Sequence, residues 1–180
     1  MRDHKEMIQI GAPAATLDHP VEHLTACHRR IEQRLDTLMA AAGHLENDRE
    51  RALEAIAKSI RFLDSSGVTH TEDEEASLFP RLRPKLSPDE MQFIDSLEQQ
   101  HEQADAIYSE LKELVKQAGA QPKAAVDLVN RYRDCAGRLA SLYREHIRTE
   151  DEILTRLAKR SLTDSDLTAI SAEMKARRAK

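Results

Sequence analysis

Residues 70 to 80 read HTEDEEASLFP, and residues 146 to 157 read HIRTEDEILTRL. Each stretch sets a histidine four positions before a glutamate, His70 with Glu74 and His146 with Glu150, and a leucine four further on, Leu78 and Leu154. A four-residue step turns an α-helix by about 400°, so each His stands one turn above its Glu on a single helical face. The first stretch closes on LFP, where Pro80 is expected to end its helix. Two faces built alike imply something held between them.

Stepping outward by three or four residues gives apolar stripes interrupted by the same kind of polar group. One stripe runs Val21, Leu24, His28, Ile31, Leu35, Leu38, and another runs Ile56, Ile60, Leu63, His70, Glu74, Leu78. A third runs Ile94, Leu97, His101, Tyr108, Leu111, and the fourth runs Leu139, Leu142, His146, Glu150, Ile153, Leu157. The order His, then His-x-x-x-Glu, occurs twice: His28 precedes the first pair by 42 residues and His101 the second by 45. This is an internal repeat of one helical hairpin.

Punctuation sets the boundaries. Asp18 or His19 is a cap candidate ahead of Pro20, and the first helix runs to Gly43. The second opens at Asn47 or Asp48 and continues to LFP, with Gly67 as a weak point inside it. Ser87, Pro88 and Glu90 form a capping box at the start of the third, which fades at Gly119. The fourth is expected from near Pro122 to about Lys159, and Thr163 with Asp166 repeats the box for a short fifth helix. The fold class is all-α: an antiparallel up-down four-helix bundle with a short C-terminal helix. Residues 1–16 read as an N-terminal extension, 17–160 as the bundle and 161–180 as the terminal helix.

Composition agrees. The chain has 180 residues, enough for one well-buried domain, with 33% charged residues, five Gly and no Trp. A formal charge of −5, with basic and acidic residues interleaved, argues against nucleic acid as a partner. The basic run MKARRAK near the C-terminus is expected to complement the negative end of a helix. No run of about 18 apolar residues occurs, and the N-terminus lacks a signal-like apolar stretch, so the expected location is the cytoplasm, away from membranes. Cys27 and Cys135 have no metal or redox spacing and read as buried or half-buried thiols.

Four imidazoles and two carboxylates inside an apolar bundle would be costly to bury unpaired. A pair of metal ions resolves the cost, and His with carboxylate suits non-haem iron, manganese or zinc. If Glu74 and Glu150 both bridge, each ion receives two His and two carboxylate oxygens. A solvent-derived oxo or hydroxo bridge then leaves an octahedral position open. The ferritin-like Glu-x-x-His pattern fits only His101, through Glu98. Glu32 and Asp105, one turn after His28 and His101, are the next candidates as ligands. Glu75 and Asp151 lie about 100° round from the bridging positions and are expected behind the ligands or in solvent, so Glu75→Ala is expected to be nearly silent. Tyr108 and Tyr143 lie within reach of the cavity, with core packing their expected role. His4, His19, His23 and His44 read as solvated or capping.

CHRRIE around His28, HTEDEEASLFPRL, LEQQHEQ around His101 and YREHIRTEDEIL together resemble the four signature segments of the hemerythrin HHE cation-binding family, over roughly residues 17 to 160. The resemblance implies a non-haem di-iron centre, with His28, His70, His101 and His146 as terminal ligands and Glu74 and Glu150 as bridges; Mn or Zn fits it less well. Oxygen-carrying members have two His four residues apart on the third helix, where this chain has Leu97 and Asp105 on either side of His101. The four-His, two-Glu set is similar instead to iron–sulfur-cluster repair proteins and to bacterial hemerythrin-like proteins linked to nitric oxide or oxidative stress. The expected function is therefore binding of, or reaction with, O2, NO or peroxide in sensing, scavenging or stress response; whether this amounts to a weak oxidase, peroxidase or NO-related enzyme activity stays open at this point. The alternative is a non-catalytic protein that stores, donates or senses iron. Monomer and homodimer both remain open.

Overall fold

A computed structural model describes residues 16–120 and 125–179. Among these there is no strand; helices account for nearly all of the chain. The first rod is α1 (Pro20–Ala42), with Pro20 in its first turn and His19 in the cap position. Asp18 instead pairs with Lys175, 2.5 Å away on the C-terminal helix.

The second rod is one path of α2 (Arg49–Phe62), a π turn Leu63–Gly67, α3 (Val68–Asp73), a second π turn Glu74–Leu78, and α4 (Phe79–Leu82), ending in a 3-10 turn Arg83–Lys85. Pro80 thus does not stop the helix. The Phe79 N–H bonds back five residues to the Glu74 carbonyl, and a widened turn leaves room for a residue with no N–H to give. Gly67, expected as a weak point, closes the first π turn.

The third rod is α5 (Pro88–Ala120), opened by the expected box: the Ser87 N–H donates to Glu90 Oε2 at 2.9 Å and the Glu90 N–H to Ser87 Oγ at 3.4 Å. The fourth is α6 (Val126–Thr149), a third π turn Glu150–Leu154, and α7 (Thr155–Ser161). Its expected start near Pro122, like the N-terminal extension over residues 1–15, lies outside the described residues. Finally α8 (Asp164–Arg178) starts from the Thr163–Asp166 box.

α1 packs on α2 and α6, and α5 on α6 and α2, so the four rods close a ring. No described helix is long and apolar enough to cross a membrane. The core within the ring is split. A larger apolar cluster gathers Ile31, Leu35, Ile56, Leu111, Tyr132 and Leu139. A smaller one joins Val21, Leu24, Leu78, Phe79, Leu97 and Leu154 to Ile170 and Met174 of α8. α8 therefore roofs the second cluster. The basic run inside it anchors it: Arg177 and Arg178 both pair with the fully buried Asp73, and Arg177 also reaches Ser77. That adds to the expected helix-end role, since Lys175, Arg177 and Arg178 lie in the last turn of α8. Only Arg178 also donates to a last-turn carbonyl, that of Met174 at 2.8 Å.

Candidate metal centre

Between the two apolar clusters lies a polar layer. His28 comes from mid-α1, His70 from α3, His101 from mid-α5 and His146 from near the end of α6, while Glu74 and Glu150 each open a π turn. All six are between 0% and 6% exposed. Leu78 and Phe79, the LF of LFP, close the layer from one side, and the Phe79 ring stacks on His101 at 6.4 Å between centroids.

The atoms converge as two overlapping groups. His28, His70, Glu74 and Glu150 form one, and Glu74, His101, His146 and Glu150 the other, with one donor atom per residue all lying within 4.8 Å of one another in each. Glu150 Oε2 is 3.1 Å from His28 Nε2 and 3.2 Å from His146 Nε2. Glu74 Oε1 is 3.3 Å from His70 Nε2, and Oε2 is 3.5 Å from His101 Nε2. Both carboxylates therefore belong to both groups. The Nε2 atoms of His101 and His146 face each other at 3.0 Å.

Three of the imidazoles are held from behind. His28 Nδ1 donates to Asp151 Oδ1 at 2.8 Å, His101 Nδ1 to Glu75 Oε1 at 2.8 Å, and His146 Nδ1 to Gln100 Oε1 at 2.9 Å. An Nδ1–H spent on an acceptor leaves the Nε2 lone pair turned into the layer. The pairing crosses the repeat: the acid after Glu74 holds the lone His of the second half, and the acid after Glu150 holds that of the first. Glu75 and Asp151 are thus fixed to ligand candidates, which replaces the expectation that Glu75→Ala is nearly silent. Gln100 was missed. Its one signal was adjacency to His101, which a neutral amide on a charged helix does not advertise.

The layer fits a cation on its own chemistry. None of the four oxygens of Glu74 and Glu150 is engaged in a hydrogen bond, nor is His28 Nε2; the close His–Glu approaches lack hydrogen-bond alignment. Lone pairs converge here where donors should meet acceptors. With no metal, protons take up the imbalance. Burial opposes charge on His28, but Asp151, Glu150 and Glu74 outweigh it and push the imidazole up to about 12. His146 is raised by Glu150 against the same burial cost. Burial, reinforced by the charge on His28, holds His70 well below its usual range. Of the two facing carboxylates, Glu74 is raised by burial and by the charge on Glu150. Glu150 is lowered because His146 and His28 overcome its burial.

Other candidates stand apart. Glu32 and Asp105 belong to neither converging group. Tyr108 turns its hydroxyl to the Ile60 carbonyl and Asp64. Tyr143 packs its ring edge-on against His146 at 6.3 Å. Cys27 and Cys135 are buried free thiols.

The family model for the hemerythrin HHE cation binding domain matches residues 19–158. A search of curated proteins finds no match.

Proposed function

The chain belongs to the hemerythrin HHE cation-binding family, and we propose that its polar layer holds two iron ions that meet a small diatomic molecule or peroxide. In this reading His28 and His70 would hold one ion and His101 and His146 the other, with Glu74 and Glu150 available to both. The observation that carries it is the pair of orphaned carboxylates shared by two facing pairs of imidazoles. Histidine with carboxylate suits iron better than calcium or magnesium, which prefer all-oxygen shells. When bound, iron supplies the redox change and the open coordination position that O2, NO or peroxide requires.

The protein's own part is arrangement. Asp151, Glu75 and Gln100 fix the tautomers of His28, His101 and His146, so those rings present Nε2 without reorienting. Leu78, Phe79, Ile31 and Leu97 keep bulk water from the layer. Storage or donation of iron is the weaker reading, because six ligands no more than 6% exposed give a chelator no handle. Two free buried thiols fit a reducing compartment and support a cytoplasmic location. The test is metal analysis of protein purified without added metal, then anaerobic reduction and addition of NO. Two irons per chain and a new absorption band are expected. Fewer than one metal per chain after reconstitution, or no response to NO, refutes the proposal.

A further inference from the structure

Beside the layer lies a pocket of about 120 Å3, bordered by Gly67, Glu72 and Glu75 of the second rod, Asp105 of α5 and Tyr143 of α6. Two of its walls touch the candidate ligands. Glu75 accepts from His101 Nδ1 at 2.8 Å, and the Tyr143 ring meets that of His146 at 6.3 Å and 85°. Both contacts run to the same pair, so the pocket approaches the layer from the His101–His146 side.

The three tyrosines differ in how their hydroxyls are used. Tyr132 donates to the Leu38 carbonyl at 2.8 Å, and Tyr108 to Ile60 and Asp64. The Tyr143 hydroxyl bonds to no described residue. Half-buried phenols normally find a partner, and this one borders a cavity next to the centre. A phenol keeps its proton near neutral pH and is able to donate. Glu72, Glu75 and Asp105 give the pocket a negative rim, which disfavours anions and leaves neutral molecules unopposed.

Resting on the two-iron reading above, we infer that this pocket is the route by which a neutral molecule of two to four atoms, such as NO, O2 or H2O2, reaches the His101–His146 side, and that the Tyr143 hydroxyl is the donor that holds it there. The first π turn shapes the wall. A β-carbon on Gly67 would meet only the Leu63 side chain, at 3.6 and 3.7 Å, so alanine fits there, and a longer side chain at this wall position would take up pocket space.

The test uses the full chain loaded with iron, reduced, and mixed with NO in a stopped-flow instrument, with iron content and helicity measured for each variant. Gly67→Leu is expected to slow association several-fold at unchanged iron content. Tyr143→Phe is expected to speed dissociation about fivefold, as loss of one hydrogen bond would, and to leave association alone. Tyr132→Phe, whose hydroxyl is committed to the Leu38 carbonyl away from this pocket, is expected to change neither rate. If Gly67→Leu loses iron, Gly67→Ala and Tyr143→Phe decide the matter. Wild-type rates in every iron-replete variant overturn the inference while leaving the two-iron reading intact. A wild-type protein that holds two irons and ignores NO overturns the reading itself.

Discussion

The crossed hydrogen bonds behind the imidazoles make a graded prediction. Removing Asp151 frees the Nδ1–H of His28, and removing Glu75 frees that of His101. Each ring then loses both its orientation and the basicity that a carboxylate lends it, a change that costs roughly 10- to 100-fold in metal affinity. Asp151 is 40% exposed and Glu75 41%, so water replaces part of the lost bond. The lower end is expected, about tenfold, or about 1.4 kcal/mol. Gln100 offers His146 a neutral acceptor at 2.9 Å, and a neutral bond is roughly half as strong as a charged one, so Gln100→Leu should cost less. The losses should also separate by ion. Asp151→Ala should weaken the His28–His70 site and Glu75→Ala the His101–His146 site, each turning a titration against a competing chelator into two steps. The conservative Glu75→Gln should recover part of the loss. If Glu75→Ala and Asp151→Ala take up two ions with wild-type affinity, the Nδ1 contacts do not tune the centre and the reasoning fails.

Three further outcomes follow from the same geometry. Glu74→Leu and Glu150→Leu should each lose both ions, because each carboxylate serves both groups. In the metal-free protein Glu150→Leu should lower the urea midpoint, because it strips His28 and His146 of the carboxylate that favours their charge; retention of two metals in both variants, or an unchanged midpoint for Glu150→Leu, contradicts this. Loaded and stripped protein should respond oppositely to pH. Acid strips the metal as protons compete for imidazole. The stripped fold instead gains from His28, which the surrounding carboxylates push up to about 12 from the ordinary 6.5 of an imidazole. That gain is complete below 6.5 and lost as pH rises toward 12, whereas His70, shifted downward, is neutral in both states above 6.5. Stripped protein should therefore unfold at lower urea at pH 9 than at pH 7, and an equal or higher midpoint at pH 9 refutes it. Finally, Asp73→Ala should cost about 2 to 3 kcal/mol, below the usual figure for a broken buried pair because both arginines can reach water. It should also expose the link between Ser161 and Asp164 to protease, and an unchanged urea midpoint with an intact link counts against the anchoring role of Asp73.

Much of this was legible because it is local. Ser87 with Glu90 and Thr163 with Asp166 are caps written within four residues, and both form as read. The apolar stripes showed which face of each rod turns inward, since a helical period is a property of neighbours. What escaped is what depends on partners far along the chain. Asp73 stands next to Glu74 and looks like one more surface acid, yet it is fully buried because two arginines more than a hundred residues later cover it. Gln100 has meaning only once His146 lies opposite it.

The π turns were illegible for a different reason, and they explain the LFP tail. A 3.6-residue period allows Leu78 to follow Glu74 on the inner face but sends Phe79 about 100° away. In the structure Leu78 is 1% exposed and Phe79 0%. The five-residue bond from the Phe79 N–H to the Glu74 carbonyl widens the turn, so two successive side chains close the layer where one would fit. The Thr155 N–H makes the same bond to the Glu150 carbonyl in the other half. Each carboxylate common to both groups therefore opens a π turn, and the acid after it, Glu75 or Asp151, reaches across to the lone imidazole of the opposite half. Apolar periodicity averages over such a turn and cannot register one inserted residue. The doubled apolar pair and the tolerated Pro80 after His-x-x-x-Glu are its trace in the sequence.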